Sequence, residues 1–494
     1  MKAILRLDTR QVISKVDDRI YGTLVEHMGR CVYHGIYEPT HPTADDMGFR
    51  QDVMELIRPL NIPLIRYPGG NFVSGYNWED GIGPDREPTL DPAWQQMEPN
   101  EVGTDEFHEW ARRANAGVMM AVNLGTKGPE EAMNLLEYCN LPVGSKYANK
   151  RAANGHQEPY KDKVWCLGNE MDGPWQICHR KAEDYAAVAR KTASLMKMID
   201  PEVELVACGS SWHGMPTFGS WERMVLKEAY DKVSFISLHH YFVNNGKNQP
   251  EYLASAEEMS SFISEVATIC DAVGAELKSK KKIHLSFDEW NVQNIIHGWP
   301  DNKSDLWTIG PRREEYIPTM EDAVVFGSLL NTLIHHCDRV HVACLAQLVN
   351  VCGIIMTEND GACWAQTTYY PFLHASAYGR GTALREELDC PGYYVKKYGD
   401  VKYLSTSSVY NEEKGEVTVF VSNRNLEENG QLTVKGLEDY EMFEHIVLSS
   451  DDLQASNTLD HPDRVVPHQA AVEQGSVTLK KASWNVLRYR KIKN

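Results

Sequence analysis

From about residue 19 the chain reads as short apolar runs, each followed by a loop and an amphipathic segment, and the unit then repeats. The apolar runs fall at 20–23, 64–67, 118–124, 164–167, 204–208, 233–238, 283–287 and 340–346. Segments of helical period lie between or beside them at 47–60, 104–116, 129–139, 182–199, 221–229, 256–277 and 320–336. Strands without polar alternation are those buried on both faces, so their succession with helices predicts a parallel sheet covered by helices. Eight such strands predict an α/β fold of the (β/α)8 (TIM) barrel type. A doubly wound sheet is the weaker reading, because the chain has neither a P-loop nor a G-x-G-x-x-G; Gly81-Ile82-Gly83 runs directly into Pro84-Asp85-Arg86.

After about residue 379 the helical period stops. Alternating segments at 403–410, 416–423, 431–434, 443–448, 464–467, 476–479 and 485–489, with turns at Lys414-Gly415 and Asn429-Gly430, predict a β-sandwich. Residues 2–7 and 12–14 read as two more strands that precede the barrel and can join that sandwich. The expected organisation is N-terminal strands at 1–16, a catalytic barrel at 17–380 and a C-terminal β-sandwich at 381–494. No repeat or low-complexity linker separates the two larger units, which predicts that they pack tightly.

Composition narrows the function classes. A chain of 494 residues suits a barrel plus a smaller module, and 42% apolar with 24% charged residues is ordinary for a globular protein. The net charge of −19 argues against a nucleic-acid partner, and no apolar run reaches membrane-spanning length. The N-terminus has interspersed charges in place of a secretory core, and the 11 cysteines are odd in number without a C-x-x-C pair. These features predict a cytoplasmic protein with free thiols, acting on a neutral ligand. Asn302-Lys303-Ser304 matches a glycosylation acceptor that a cytoplasmic chain would not use.

In a barrel the site lies at the C-terminal ends of the strands, and here those ends are polar. They offer Glu26-His27, Arg66 to Asn71, Asn169-Glu170, His239-His240-Tyr241, Asp288-Glu289-Trp290-Asn291 and Gln347. Two strands, Val164-Trp165-Cys166-Leu167 and Ile283-His284-Leu285-Ser286-Phe287, run straight into carboxylates at Glu170 and Glu289. A charge at the mouth of an apolar strand is costly to bury without a partner or a task. If both strands belong to one closed sheet, the two acids meet, as a retaining glycosidase requires of its acid/base and its nucleophile. Asn169 is then placed to donate to a sugar 2-hydroxyl.

Each feature also has a plainer reading. Asn-Glu after a strand is often a helix cap or a surface turn, and Asp288 can be a buried partner for Arg66. The His239-His240 and His335-His336 pairs lack the spacing of a metal site, and no metal or other cofactor is expected. Gly209-Ser210-Ser211-Trp212-His213 is not a G-x-S-x-G elbow, which argues against a serine nucleophile.

The stretch Arg66-Tyr67-Pro68-Gly69-Gly70-Asn71-Phe72, the stretch from Trp165 to Trp175, Asp288-Glu289-Trp290-Asn291, and the closing Ala482-Ser483-Trp484-Asn485-Val486-Leu487-Arg488 together resemble glycoside hydrolase family 51, the intracellular α-L-arabinofuranosidases of clan A. The resemblance covers essentially the whole chain. It implies a retaining, exo-acting enzyme with Glu170 as acid/base and Glu289 as nucleophile. It implies that Glu26, Arg66, Asn71, Asn169, Tyr241 and Gln347 line the pocket for a terminal arabinofuranose taken from arabino-oligosaccharides. A jelly-roll sandwich completed by the N-terminal strands, and a homohexamer, are implied as well. The chain departs from the family at Gln293, where many members have tryptophan, and at Glu98-Pro99-Asn100, where threonine usually precedes the asparagine. Both departures are expected on loops at the pocket mouth. The competing readings are the same barrel acting on a β-xyloside, a galactofuranoside or a β-glucan, and a sugar-binding protein without activity. Two like charges in contact argue against the last.

Overall fold

The computed structural model describes residues 1–300 and 304–492, so Asn302 and Lys303 of the acceptor sequence lie outside the described residues. Eight parallel strands close into a barrel: Gly22–Leu24, Leu64–Tyr67, Gly117–Val122, Val164–Leu167, Glu204–Ala207, Phe235–Asn244, His284–Asn294 and Val340–Ala346. All eight expected strands are present and each pairs with its neighbour in sequence, the eighth closing on the first. Val164, Cys166, Val206, Phe235, Val342 and Cys344 fill the lumen, which makes the barrel a packed core with its openings at the ends.

The sixth and seventh strands run about six residues further than their apolar runs, pairing in register from Glu289 with His239 to Asn294 with Asn244. The expectation that His239, Tyr241 and Glu289 lie at strand ends is therefore corrected: they lie within strands that outlast the barrel's apolar core. The seventh strand also slips register against both neighbours between Ser286 and Glu289 and between Phe287 and Trp290. That bulge breaks the strict alternation of faces and lets the consecutive Asp288 and Glu289 both turn inward.

The seven expected helices are present with shifted ends, and Lys146–Ala153, Gln249–Leu253 and Tyr369–Tyr378 add to them. Tyr369–Tyr378 follows the eighth strand and lies beside Met320–His335. The two expected N-terminal strands are one strand, Lys2–Lys15, with register shifts between Leu7 and Val12 and between Val12 and Ser14.

That strand lies inside a nine-stranded mixed sheet, between the antiparallel Thr382–Asp389 and the parallel Gly430–Lys435. Thr382–Asp389 was not foreseen, and the segment at 464–467 is not a strand; its place is taken by the two-residue His468–Gln469. The sheet curls over one apolar core in which Leu5, Leu384, Val419, Leu432, Val477 and Leu487 meet, as in a sandwich.

The other face covers the barrel. Phe420, Trp484 and Val486 pack with the barrel's cluster, while Val417, Val419, Val421 and Leu487 point into the sandwich, so residues 417–423 and 483–487 are buried on both sides. Between the two units lies Met320–His335, which is buried all round up to Ile334. It is bonded to the sheet: Asn331 Nδ2 donates to Ser405 O at 2.9 Å, and the helix carbonyl of Val324 accepts from Ser422 Oγ at 2.9 Å.

Candidate active site

The chain leaves the fourth strand through Gly168-Asn169-Glu170, with Gly168 at φ 87° and Glu170 at φ 44°. The left-handed turn holds Glu170 over the barrel mouth, a conformation that costs a non-glycine residue about 1 kcal/mol or more. One carboxylate oxygen of Glu170, one of Glu289 and a ring nitrogen of His239 lie within 4.8 Å of one another. The two acids that sequence reasoning paired across the barrel are neighbours.

Their partners differ. Glu289 accepts from Arg66 Nη1 at 2.7 Å and from Tyr241 OH at 2.9 Å, both inside the barrel mouth. Glu170 accepts from Trp175 Nε1 at 2.6 Å, on an indole that is half exposed. Its other oxygen lies 2.9 Å from His239 Nδ1. His239 Nε2 lies 3.2 Å from Asp288, so both ring nitrogens face carboxylates. Burial alone would lower the His239 pKa, but Glu289, Asp288 and Glu170 together raise it to about 10. That shift favours a cationic ring among three acids.

Arg66 extends its second arm to Asn169 Oδ1 at 2.7 Å, and Asn169 Nδ2 donates to Asn71 Oδ1 at 3.2 Å. Asp288 is only in part the partner of Arg66. It sits 3.7 Å from Arg66 Nε, closer to His239, and accepts from Cys166 Sγ at 3.5 Å.

Glu26 forms the far wall, accepting from Phe72 N at 3.0 Å and Trp94 Nε1 at 2.9 Å. Gln347 Oε1 accepts from Glu26 N at 2.9 Å, and its amide nitrogen lies 3.4 Å from Glu26 Oε2. Burial, and then the charge of Glu289, push the Glu26 pKa up to about 7. The Gly69-Gly70 pair is required here: a Cβ on Gly69 would lie 2.5 Å from Glu26 Cγ, and one on Gly70 would lie 2.8 Å from Glu289 Oε1. The backbone is thus the floor between the two acids.

All eight residues expected at the site, Glu26, Arg66, Asn71, Asn169, Glu170, Tyr241, Glu289 and Gln347, are brought together around one mouth. Six of them, all but Arg66 and Asn169, line a cavity with a volume of about 1310 Å³.

Two expectations are corrected. Gln293 does line the cavity, but from within the seventh strand. Glu98-Pro99-Asn100 is not at the mouth but buried. Glu98 receives the Tyr33 hydroxyl and lies 2.8 Å from His27, while Asn100 Nδ2 donates to Glu87 O at 2.7 Å. These bonds fix the hairpin of Thr89–Asp91 and Gln96–Glu98, whose tip carries Trp94 to Glu26. The sequence offers His239 among the polar residues at the end of the sixth strand and as half of a His-His pair, without a role at the catalytic pair. His239 and Tyr241 are two apart, the spacing of one strand face, and that signal would have found it. The His335-His336 pair does not converge: His336 meets Ser260 Oγ at 2.8 Å and His335 meets Glu386 at 3.3 Å.

Comparison with known proteins places these features in a family. Residues 56–258 match the α-L-arabinofuranosidase 1 domain, and residues 288–483 match the α-L-arabinofuranosidase C-terminal domain. An intracellular exo-α-(1→5)-L-arabinofuranosidase of Acetivibrio thermocellus is 49% identical, covering 99% of this chain and 100% of its own. An exo-α-(1→6)-L-arabinofuranosidase of Bifidobacterium longum is 46% identical, covering 98% and 96%. Among solved structures, the family 51 α-L-arabinofuranosidase AbfB of Bifidobacterium longum superposes with a TM-score of 0.94 at 41% identity, covering 99% of each chain. With its closed barrel, its curled C-terminal sheet and near-complete alignment to these proteins, the chain belongs to the family 51 α-L-arabinofuranosidases.

Proposed function

We propose that the protein is a retaining, exo-acting α-L-arabinofuranosidase that removes terminal arabinofuranose from arabino-oligosaccharides. The observation that carries the reading is the pair Glu170 and Glu289, with carboxylate oxygens within 4.8 Å. Retaining glycosidases hold their carboxyl groups about 5 to 5.5 Å apart, whereas inverting enzymes need about 6.5 to 9.5 Å to admit water.

Glu289, held by Arg66 and Tyr241, is the nucleophile that attacks the anomeric carbon. Glu170, on the side of the half-exposed Trp175, gives its proton to the leaving oxygen and then takes one from the water that opens the glycosyl-enzyme. Glu26, Arg66, Asn71, Asn169, Tyr241 and Gln347 hold the terminal sugar. Glu26 and Gln347 are buried at the wall of the pocket, and the exo naming of the relatives supports exo action.

The test is a panel of 4-nitrophenyl glycosides with the product anomer followed by NMR. The expected result is selective cleavage of the α-L-arabinofuranoside with retained configuration. Preference for a β-xyloside, a galactofuranoside or a β-glucan, or an inverted product, would overturn the reading. The relatives are named for (1→5) and (1→6) linkages, and product analysis on both linkages separates the two. The free cysteines and the intracellular naming of the thermocellus relative support a cytoplasmic site of action. The hexamer that the family resemblance implies is checked by light scattering.

A further inference from the structure

The cavity does not end at the catalytic pair. It continues past Trp175 along the loop after the fifth strand to Ser211 and Trp212, and is bounded there by Lys397 and Tyr398 of the C-terminal unit. This extension is firmly built. Glu258 receives Lys397 Nζ at 2.7 Å and Tyr398 OH at 3.0 Å, and its other oxygen lies 2.5 Å from His213 Nδ1. Ser211 N is tied to Asp172 at 3.2 Å, two residues from Glu170, which places the loop directly beyond the acid on the leaving-group side.

Two tryptophans stand along this path in the same local arrangement. Trp175 is 50% exposed and Trp212 is 46% exposed, although both line the cavity. Each indole packs closely against a glycine two residues away. A Cβ on Gly173 would lie 2.6 Å from Trp175 Cε2, and one on Gly214 would lie 2.4 Å from Trp212 Cη2 and Cζ3. Ser211 and His240 also line the cavity, although their Oγ and Nδ1 atoms are themselves buried. An exposed aromatic side chain in a cavity wall matches a sugar, which offers an apolar ring face.

We infer that Trp212, packed against Gly214, is a stacking platform for a leaving-group sugar beyond the first. The inference rests on the arabinofuranosidase reading and extends it: the enzyme selects oligosaccharides by length. The cluster around Glu258 is charge-balanced by Lys397, which suits a neutral sugar over a uronic acid.

The test compares kcat/KM for α-(1→5)-linked arabino-oligosaccharides of two, three and four residues and for 4-nitrophenyl α-L-arabinofuranoside. In the wild type kcat/KM should rise with length. Trp212→Ala removes the platform, and Gly214→Ala displaces it without removing the indole. Each should lower kcat/KM on the longer substrates by roughly three- to ten-fold, the size of an aromatic contact, and leave the aryl substrate within about two-fold. Trp212→Phe should recover part of the loss. A flat length profile in the wild type, or an equal loss on the aryl substrate, would overturn the platform while leaving the arabinofuranosidase reading intact. Failure of the wild type to cleave any arabinofuranoside would overturn both.

Discussion

Glu170 and Glu289 bring carboxylate oxygens within 4.8 Å of each other, yet each is held by a different set of groups. Arg66 and Tyr241 fix Glu289 from inside the barrel, and Trp175 fixes Glu170 from the cavity side. His239 stands between them, 2.9 Å from Glu170 and 3.6 Å from Glu289. In the proposed mechanism the arrangement separates two tasks that require the same functional group, attack on the anomeric carbon and proton transfer to the leaving oxygen.

That separation predicts unequal variants. Glu289→Ala should lower turnover by at least ~10⁴-fold for every leaving group, since no covalent intermediate forms. Glu170→Ala should still be glycosylated by aryl arabinofuranosides with acidic leaving groups, and azide should restore turnover and give an azide product of retained configuration. Pre-steady-state release of nitrophenol checks the first step, and NMR of the azide product checks the second. Equal and unrescued losses would refute the assignment.

The state of Glu26 gives a prediction that combines stability with function. Its carboxyl binds a proton more tightly in the folded protein, at about 7, than at its ordinary value of 4.5, because burial and then Glu289 oppose its charge. Stability therefore falls as pH rises from about 4.5 through 7, and the penalty is fully present above 7. Glu26→Gln, which has no such charge, should be more stable than the wild type at pH 8 by on the order of 2 to 3 kcal/mol, and about equal to it at pH 4. It should also bind the terminal sugar less well, raising KM. Urea denaturation at the two pH values checks the sign, and the same difference at both would sink the argument.

The eight strands were legible because a strand buried on both faces has no polar alternation to hide it, and the lumen residues Val164, Cys166 and Val342 are of this kind. The polar residues at the strand ends were legible by the same contrast, which is how Glu170 and Glu289 stood out. The full lengths of the sixth and seventh strands were not, because from His239 and Asp288 onward the residues are those of the site and no longer follow the apolar pattern. Tyr369–Tyr378 was missed because it carries aromatics on several sides and Pro371 near its start, which leaves no polar face to mark a period. Thr382–Asp389 was hidden by Arg385, Glu386 and Glu387 in consecutive positions. The inward packing of Glu98 depends on Tyr33 and His27, more than sixty residues away, and no local pattern encodes it.

The contact between the two units predicts a mutational cost far from the site. Gly327, in the buried Met320–His335, faces Trp484: an added Cβ would lie 2.3 Å from Trp484 Cε3 and 2.7 Å from Ser422 Oγ. The helix is pressed against the sheet at this point, and only a residue without a side chain fits. Gly327→Ala should therefore destabilise the protein by about 1 to 3 kcal/mol despite its better helix propensity, with KM unchanged. Calorimetry gives the stability, and an unchanged or raised melting temperature would mean that the sheet yields at this contact.

Gln293 sits four residues after Glu289 on the extended seventh strand, lining the cavity, with its amide nitrogen 3.9 Å from Cys352 Sγ. An amide here offers hydrogen bonds where an aromatic face would stack on the leaving sugar. Trp94, Trp175 and Trp299 line the same cavity and compensate in part. Stacking contributes about 0.5 to 1.5 kcal/mol beyond area burial, so Gln293→Trp should lower KM for arabino-oligosaccharides several-fold. The pocket proposed for the terminal sugar takes Glu26, Arg66, Asn169 and Gln347 from in or just after other strands, and hydrolysis of the arabinosyl-enzyme involves no leaving group. The rate of that second step should therefore be unchanged. Single-turnover measurements separate the two steps. Untouched oligosaccharide kinetics, or an altered second step, would remove Gln293 from the leaving-group site.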